Sequence, residues 1–139
     1  MKSLFVVLSF IILPFVTKAQ GVFGATHVEV RDTLIKFGFQ YIKSDKSDIG
    51  TPYDLYKLPD GTIQVVCYFN KAEKCYEYRR IEPRTTLIER LEHLNKNFIK
   101  IDDTHWVSRD ATVKVLFYAP TDDVSYYYIS YQSMSDTDN

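Results

Sequence analysis

Two cysteines, three histidines and one compact acidic cluster are the residues of this 139-residue chain whose types could do chemistry. Cys67 and Cys75 flank a polar turn, Asn70-Lys71-Ala72-Glu73, between two runs of strand character within Thr62 to Arg80. An even cysteine count permits a bridge in an exported chain, but a cross-strand bridge needs both residues nearly opposite on one face. A four-residue loop pairs Phe69 with Lys74, Cys67 with Tyr76 and Val65 with Tyr78. That register sends Cys67 inward and leaves Cys75 a half-exposed thiol on the other face, and one residue more or less in the loop would reverse the relation.

A Cys75 nucleophile would also need a base within hydrogen-bond reach and a third group to orient it. His27 and His93 fall in helical segments expected on the opposite sheet face, and His105 falls in a different hairpin. Asp102-Asp103-Thr104-His105 holds metal-capable groups. Zinc sites need three or four ligands, however, and adjacent aspartates are explained by their bonding to turn backbone. The loop from Asp45, DKSDIG, has a glycine where a calcium loop requires one, but Ile49 occupies a liganding position and Tyr56 stands where a bidentate glutamate is needed. No phosphate-cradling glycine loop, nucleophile elbow or CxxC is present. The sequence therefore assigns no catalytic residue, metal or cofactor, and the expectation is a non-enzymatic protein, with a small thiol- or histidine-dependent enzyme as the alternative.

The compartment is set by the first residues. Lys2, the apolar run Leu4 to Val16 and Thr17-Lys18-Ala19 have the charge, length and small-residue pattern of a signal peptide over residues 1–19. The chain is thus expected to be secreted or periplasmic and free of the membrane after cleavage. Residues 20–131 make one ordinary domain, and 132–139 read as a disordered polar tail. The formal net charge of −1 becomes −3 once Lys2 and Lys18 are removed, with 15 basic and 18 acidic residues left. Scattered charge of that size gives no footprint for nucleic acid.

The elements follow from spacing. Thr26-His27-Val28-Glu29 is a capping box opening a helix that Gly38 closes, with Val30, Leu34 and Phe37 on one face. Thr86 to Glu89 repeats the spacing at the start of a second helix, whose apolar face is Leu87, Leu91, Leu94 and Phe98. Short strands are expected at Phe39 to Lys43, Tyr53 to Leu58, Thr62 to Phe69, Lys74 to Ile81, Phe98 to Ile101, around Trp106, Thr112 to Tyr118 and Val124 to Tyr131. A three-residue turn, Pro59-Asp60-Gly61, pairs Leu55 with Val65. The order, helix plus four strands given twice, predicts an α+β two-layer fold: a largely antiparallel sheet with two helices on one face, and a possible tandem repeat. In element order this resembles the secreted β-lactamase inhibitor proteins, whose tandem repeats expose a concave sheet. The resemblance rests on topology and carries no site residues across.

What remains for function is the sheet face away from the helices. Alternation places Tyr56, Tyr68, Glu77, Arg79, Lys114 and Tyr118 on it, while the last strand leaves Tyr126 with Tyr128 or Tyr127 with Tyr131 as equal alternatives. Tyrosine and arginine bury area and still form hydrogen bonds, which suits recognition. The expectation is a protein- or peptide-binding, inhibitor-like module meeting an envelope or extracellular partner. A subunit of a surface assembly pairing through an edge strand is a further alternative.

Overall fold

The structure, a computed structural model, describes residues 22–120 and 125–135, so the expected signal peptide and the end of the tail lie outside the described residues. Helix α1 (His27–Lys36) starts as its sequence dictates. The Thr26 hydroxyl accepts from the Glu29 backbone N–H, and the Glu29 carboxylate accepts from the Thr26 N–H at 2.8 Å. Gly38, at φ +88°, turns the chain out of the helix. Four strands follow, β1 (Gln40–Lys46), β2 (Pro52–Lys57), β3 (Gln64–Phe69) and β4 (Cys75–Pro83). Helix α2 (Leu87–Asn97) and strands β5 (Ile99–Asp102), β6 (His105–Val107), β7 (Val113–Tyr118) and β8 (Tyr126–Ser133) complete the described fold. Strand β8 runs two residues past the expected end of the domain at Tyr131.

All eight strands form one antiparallel sheet in the order β1-β2-β3-β4-β8-β7-β6-β5. Each group of four runs inward from an edge, and the two groups meet at β4 and β8. Both helices cover one face. Val30 and Leu34 from α1 and Leu94 from α2 join Val65, Cys67, Phe69, Tyr78, Trp106, Val115, Tyr127 and Ile129 in one buried cluster.

The second capping box does not form. Residues Arg84–Thr86 make a 3-10 turn before α2, so Thr86 already has a near-helical backbone and its side chain caps nothing. Its hydroxyl donates instead to Tyr127 Oη at 2.8 Å and lies 2.9 Å from the Pro83 carbonyl. Both belong to a buried polar cluster around Glu82, which is 1% exposed. Arg80 Nε and Arg90 Nη2 donate to one carboxylate oxygen at 2.7 and 2.8 Å, while Arg90 Nε and Tyr127 Oη donate to the other at 3.1 and 2.5 Å. Burial opposes ionisation of Glu82, but Arg80 and Arg90 outweigh it and hold the carboxyl below its ordinary range. Burial and the Glu82 hydrogen bond push the Tyr127 phenol up to about 12. The charged group thus pins α2 to the sheet.

Three strand turns share a short device, Asp-x-Thr. Asp60, Asp102 and Asp110 each accept from the backbone N–H and the hydroxyl of Thr62, Thr104 and Thr112 respectively. The aspartate thereby satisfies two donors at once where the chain reverses. In the acidic cluster at Asp102, the carboxylate also bonds His105 Nδ1 at 2.7 Å, so this group closes a turn.

Both edges of the sheet are irregular. β1 carries a register shift between Tyr41 and Lys43, and β5 one between Lys100 and Asp102, so neither edge offers a long flat template to another chain.

Candidate functional site

The face without helices is built from three rows of side chains running across the sheet. The first is Tyr53, Tyr68, Glu77, Gln132, Lys114 and Val107, taking the paired positions from β2 to β6. The second is Leu55, Val66, Arg79, Ser130, Leu116 and His105. The third is Lys57, Gln64, Ile81, Tyr128 and Tyr118.

A hollow of about 670 Å³ opens where the middle row crosses the β4/β8 seam. Its cause is local. Ser130 is a short side chain among long ones, and Arg79 leans aside over the Tyr68 ring, 4.7 Å from its centroid. Glu77, only 6% exposed, receives Arg79 Nε at 2.8 Å and the Ser130 hydroxyl at 2.8 Å, both on Oε1. Gln132 Nε2 donates on to Ser130 Oγ at 3.3 Å. The floor is therefore a joined polar chain, with Val66, Ile81, Leu116 and Tyr128 making the walls largely apolar. Thr104 and His105 close one side, where the Phe117 backbone N–H donates to the Thr104 carbonyl at 2.9 Å.

Of the residues expected on this face, Tyr68, Glu77 and Arg79 come together at the hollow, Tyr118 stands at its rim 65% exposed, and Lys114 lies two positions from Glu77 in the same row. Tyr56 does not. It is fully buried under α1, because Leu58 N–H bonds the Ile63 carbonyl and the β2–β3 loop has four residues between them, not three. One residue of slip exchanges the faces of a strand. Asp54 turns inward with it and is held at 0% exposure by His27 Nδ1 at 2.9 Å and the Ser44 hydroxyl at 2.6 Å. His27 also stacks on Phe69 at 3.6 Å between centroids.

Cys75 is likewise corrected: it is fully buried on the helix side, as is Cys67. Asn70 N–H bonds the Lys74 carbonyl and Glu73 takes a positive φ, so Phe69 pairs with Cys75. A bulge at Tyr76 then adds a second slip, after which Tyr68 pairs with Glu77. The two slips cancel, which is why Glu77 and Arg79 face outward although the expected register is wrong. Both thiols are free, and the Cys75 sulfhydryl points to the Glu77 carbonyl at 3.6 Å. Among the described residues no three of His, Cys, Asp and Glu stand close enough to hold a metal ion.

The last strand resolves in favour of Tyr126 and Tyr128 on the open face, with Tyr127 and Tyr131 buried. Ser130 and Gln132, which shape the hollow, are unmarked in the sequence. The run Tyr-Tyr-Tyr-Ile-Ser-Tyr is ambiguous at nearly every position, and only pairing with β4 decides which way each side chain points.

Against this geometry, comparison with protein-family models finds no match, and neither the curated proteins nor the solved structures compared match the chain. The likeness in element order to the β-lactamase inhibitor proteins accordingly supplies no function. No helix among the described residues is long and apolar enough to cross a membrane.

Proposed function

We propose that this protein is an exported, non-enzymatic binding module whose open sheet face holds a protein or peptide partner. The observation that carries this reading is the hollow at the β4/β8 seam. It joins a buried hydrogen-bonded floor, Glu77 with Ser130, to walls of tyrosine and aliphatic side chains, and no described segment covers it. A rigid floor lowers the ordering cost of binding, and tyrosine rims supply contact area with few rotors to freeze. Residues 1–19 deliver the chain to the envelope or beyond on this reading, where such a partner would be met.

The test is site-specific photo-crosslinking in the native envelope. A photoreactive residue at Tyr118, on the rim, should trap a discrete partner, whereas one at Val28, 67% exposed on α1, should not. Equal trapping from both positions, or none at Tyr118 across growth conditions, would remove the assignment.

A further inference from the structure

We propose that the segment this face receives carries an acidic side chain beside an apolar one, with Arg79 as the anchor for the carboxylate. This rests on the open face being the binding site and adds the chemistry of what binds there.

Three observations lead to it. The first is how Arg79 is held. Its bond to Glu77 uses Nε, its guanidinium lies over Tyr68, and no hydrogen bond from its Nη groups to a described residue accompanies these contacts. A guanidinium fixed through Nε and one flat side keeps its outer edge free, and that edge is the one that matches the two oxygens of a carboxylate. Lysine at this position could not offer the same fork.

The second is charge. With the rows continued onto β1 and β5, the cations of this face are Lys43, Lys57, Arg79 and Lys114 and the carboxylates are Asp45, Glu77 and Asp102, which are bonded to Lys43, Arg79 and His105 respectively. The face therefore carries a positive excess within a chain whose formal net charge is −1. Lys114 stands beside Gln132, which itself stands beside Glu77, so the excess sits next to the hollow.

The third is the neighbour. In the middle row Arg79 is followed by Ser130 and then Leu116, with Ile81 and Tyr128 in the row beside it. A carboxylate on the Arg79 edge places the adjoining side chain of the partner over Ser130, into the space bounded by Leu116 and Tyr128. An apolar group there covers apolar walls and meets no unpaired donor, since the Ser130 hydroxyl is committed to Glu77.

A displayed library of random linear peptides, selected on the mature protein, tests this. Selected sequences should share an Asp or Glu next to Leu, Ile, Phe, Tyr or Trp. For one such peptide, replacing its acid by the amide should weaken binding about ten- to a hundredfold, the usual range for a charge-assisted hydrogen bond. With the Arg79→Gln protein that difference should shrink to about threefold or less, and Arg79→Lys should restore part of it. Affinity should fall as salt is raised. Because the acid-to-amide change is made in the peptide, the first result does not depend on how a protein variant folds. Peptides that lose affinity on Tyr118→Ala and Tyr128→Ala yet show no acidic preference would overturn this inference alone. Peptides indifferent to those two substitutions as well would overturn the binding face with it.

Discussion

The rings of Tyr78 and Tyr131 lie stacked at 4.7 Å between centroids and 13° from parallel, from directly paired positions of β4 and β8. They stand on the helix side of the seam whose other side is the hollow, so one strand pair supports both the core and the candidate site. Each ring also has a second neighbour, Phe23 for Tyr78 and Phe98 for Tyr131, so the stack ties the lead into α1 to the end of α2. Replacing either tyrosine by alanine should cost about 3–5 kcal/mol of stability. A double-mutant cycle read by urea unfolding should return a coupling of about 1 kcal/mol. Strictly additive losses would show that the two rings act separately.

The Glu82 cluster predicts a stability loss on acidification in two steps. His93 is held below its ordinary value of 6.5 by burial and by Arg90 and Arg80, and Asn97 Nδ2 is placed to donate to its Nδ1 at 3.3 Å, which suits the neutral ring. A depressed histidine contributes fully above its unfolded value and loses that contribution as pH falls toward the lowered native one. Glu82, also depressed, contributes above the ordinary carboxylate range and is lost further down. Urea midpoints across a pH series should therefore decline first from about pH 6.5 and again below about pH 4.5. His93→Gln should flatten the first step, and Glu82→Gln should reduce the second, which the depressed Asp60, Asp102 and Asp110 carboxyls share, and cost about 3 kcal/mol at neutral pH.

Two buried tyrosines should respond oppositely to loss of the hydroxyl. Tyr127 Oη bonds Glu82 and Thr86, whereas Tyr56 Oη is buried with no hydrogen-bond partner within reach among the described residues, the Arg31 guanidinium being a polar neighbour. Tyr127→Phe should cost about 1.5–3 kcal/mol, because a bond to a charged group goes with it. Tyr56→Phe should change stability by about 0.5 kcal/mol or less, or raise it, since an unmet buried hydroxyl disappears. Thermal unfolding of the two variants decides this, and similar losses would mean that Tyr56 Oη has a partner after all.

The cysteines should be silent in the native protein. Both sulfurs are buried out of a reagent's reach, and Cys75 together with burial pushes the Cys67 thiol well up, so Cys67 offers little thiolate. Alkylation followed by mass measurement should find no adduct under native conditions and two after denaturation. Rapid native labelling of Cys75 would restore the outward, reactive thiol that the sequence suggests.

Most of the architecture was legible from local pattern: the Thr26 to Glu29 box, the Gly38 exit, the strand spans and the two-layer arrangement all follow from spacing. What was not legible was parity. Spacing alone assigns Tyr56 and Cys75 to the wrong face because a loop longer by one residue is chemically almost the same sequence, while its effect reverses every side chain up to the next bulge. Glu77 and Arg79 face outward as alternation predicts only because two slips cancel. Thr86 shows another limit, since its capping spacing was right but its hydroxyl was claimed by Tyr127, a residue 41 positions away.

Trp106, the chain's one tryptophan, is 1% exposed and its indole N–H donates to Asn95 Oδ1 at 2.9 Å on α2. Its emission therefore reports whether that helix is seated on the sheet. A ligand in the hollow sits on the far side of the sheet, so a titration with a tryptophan-free peptide followed by tryptophan fluorescence will stay flat even at saturation. The same dye-free signal will follow unfolding with such a peptide bound.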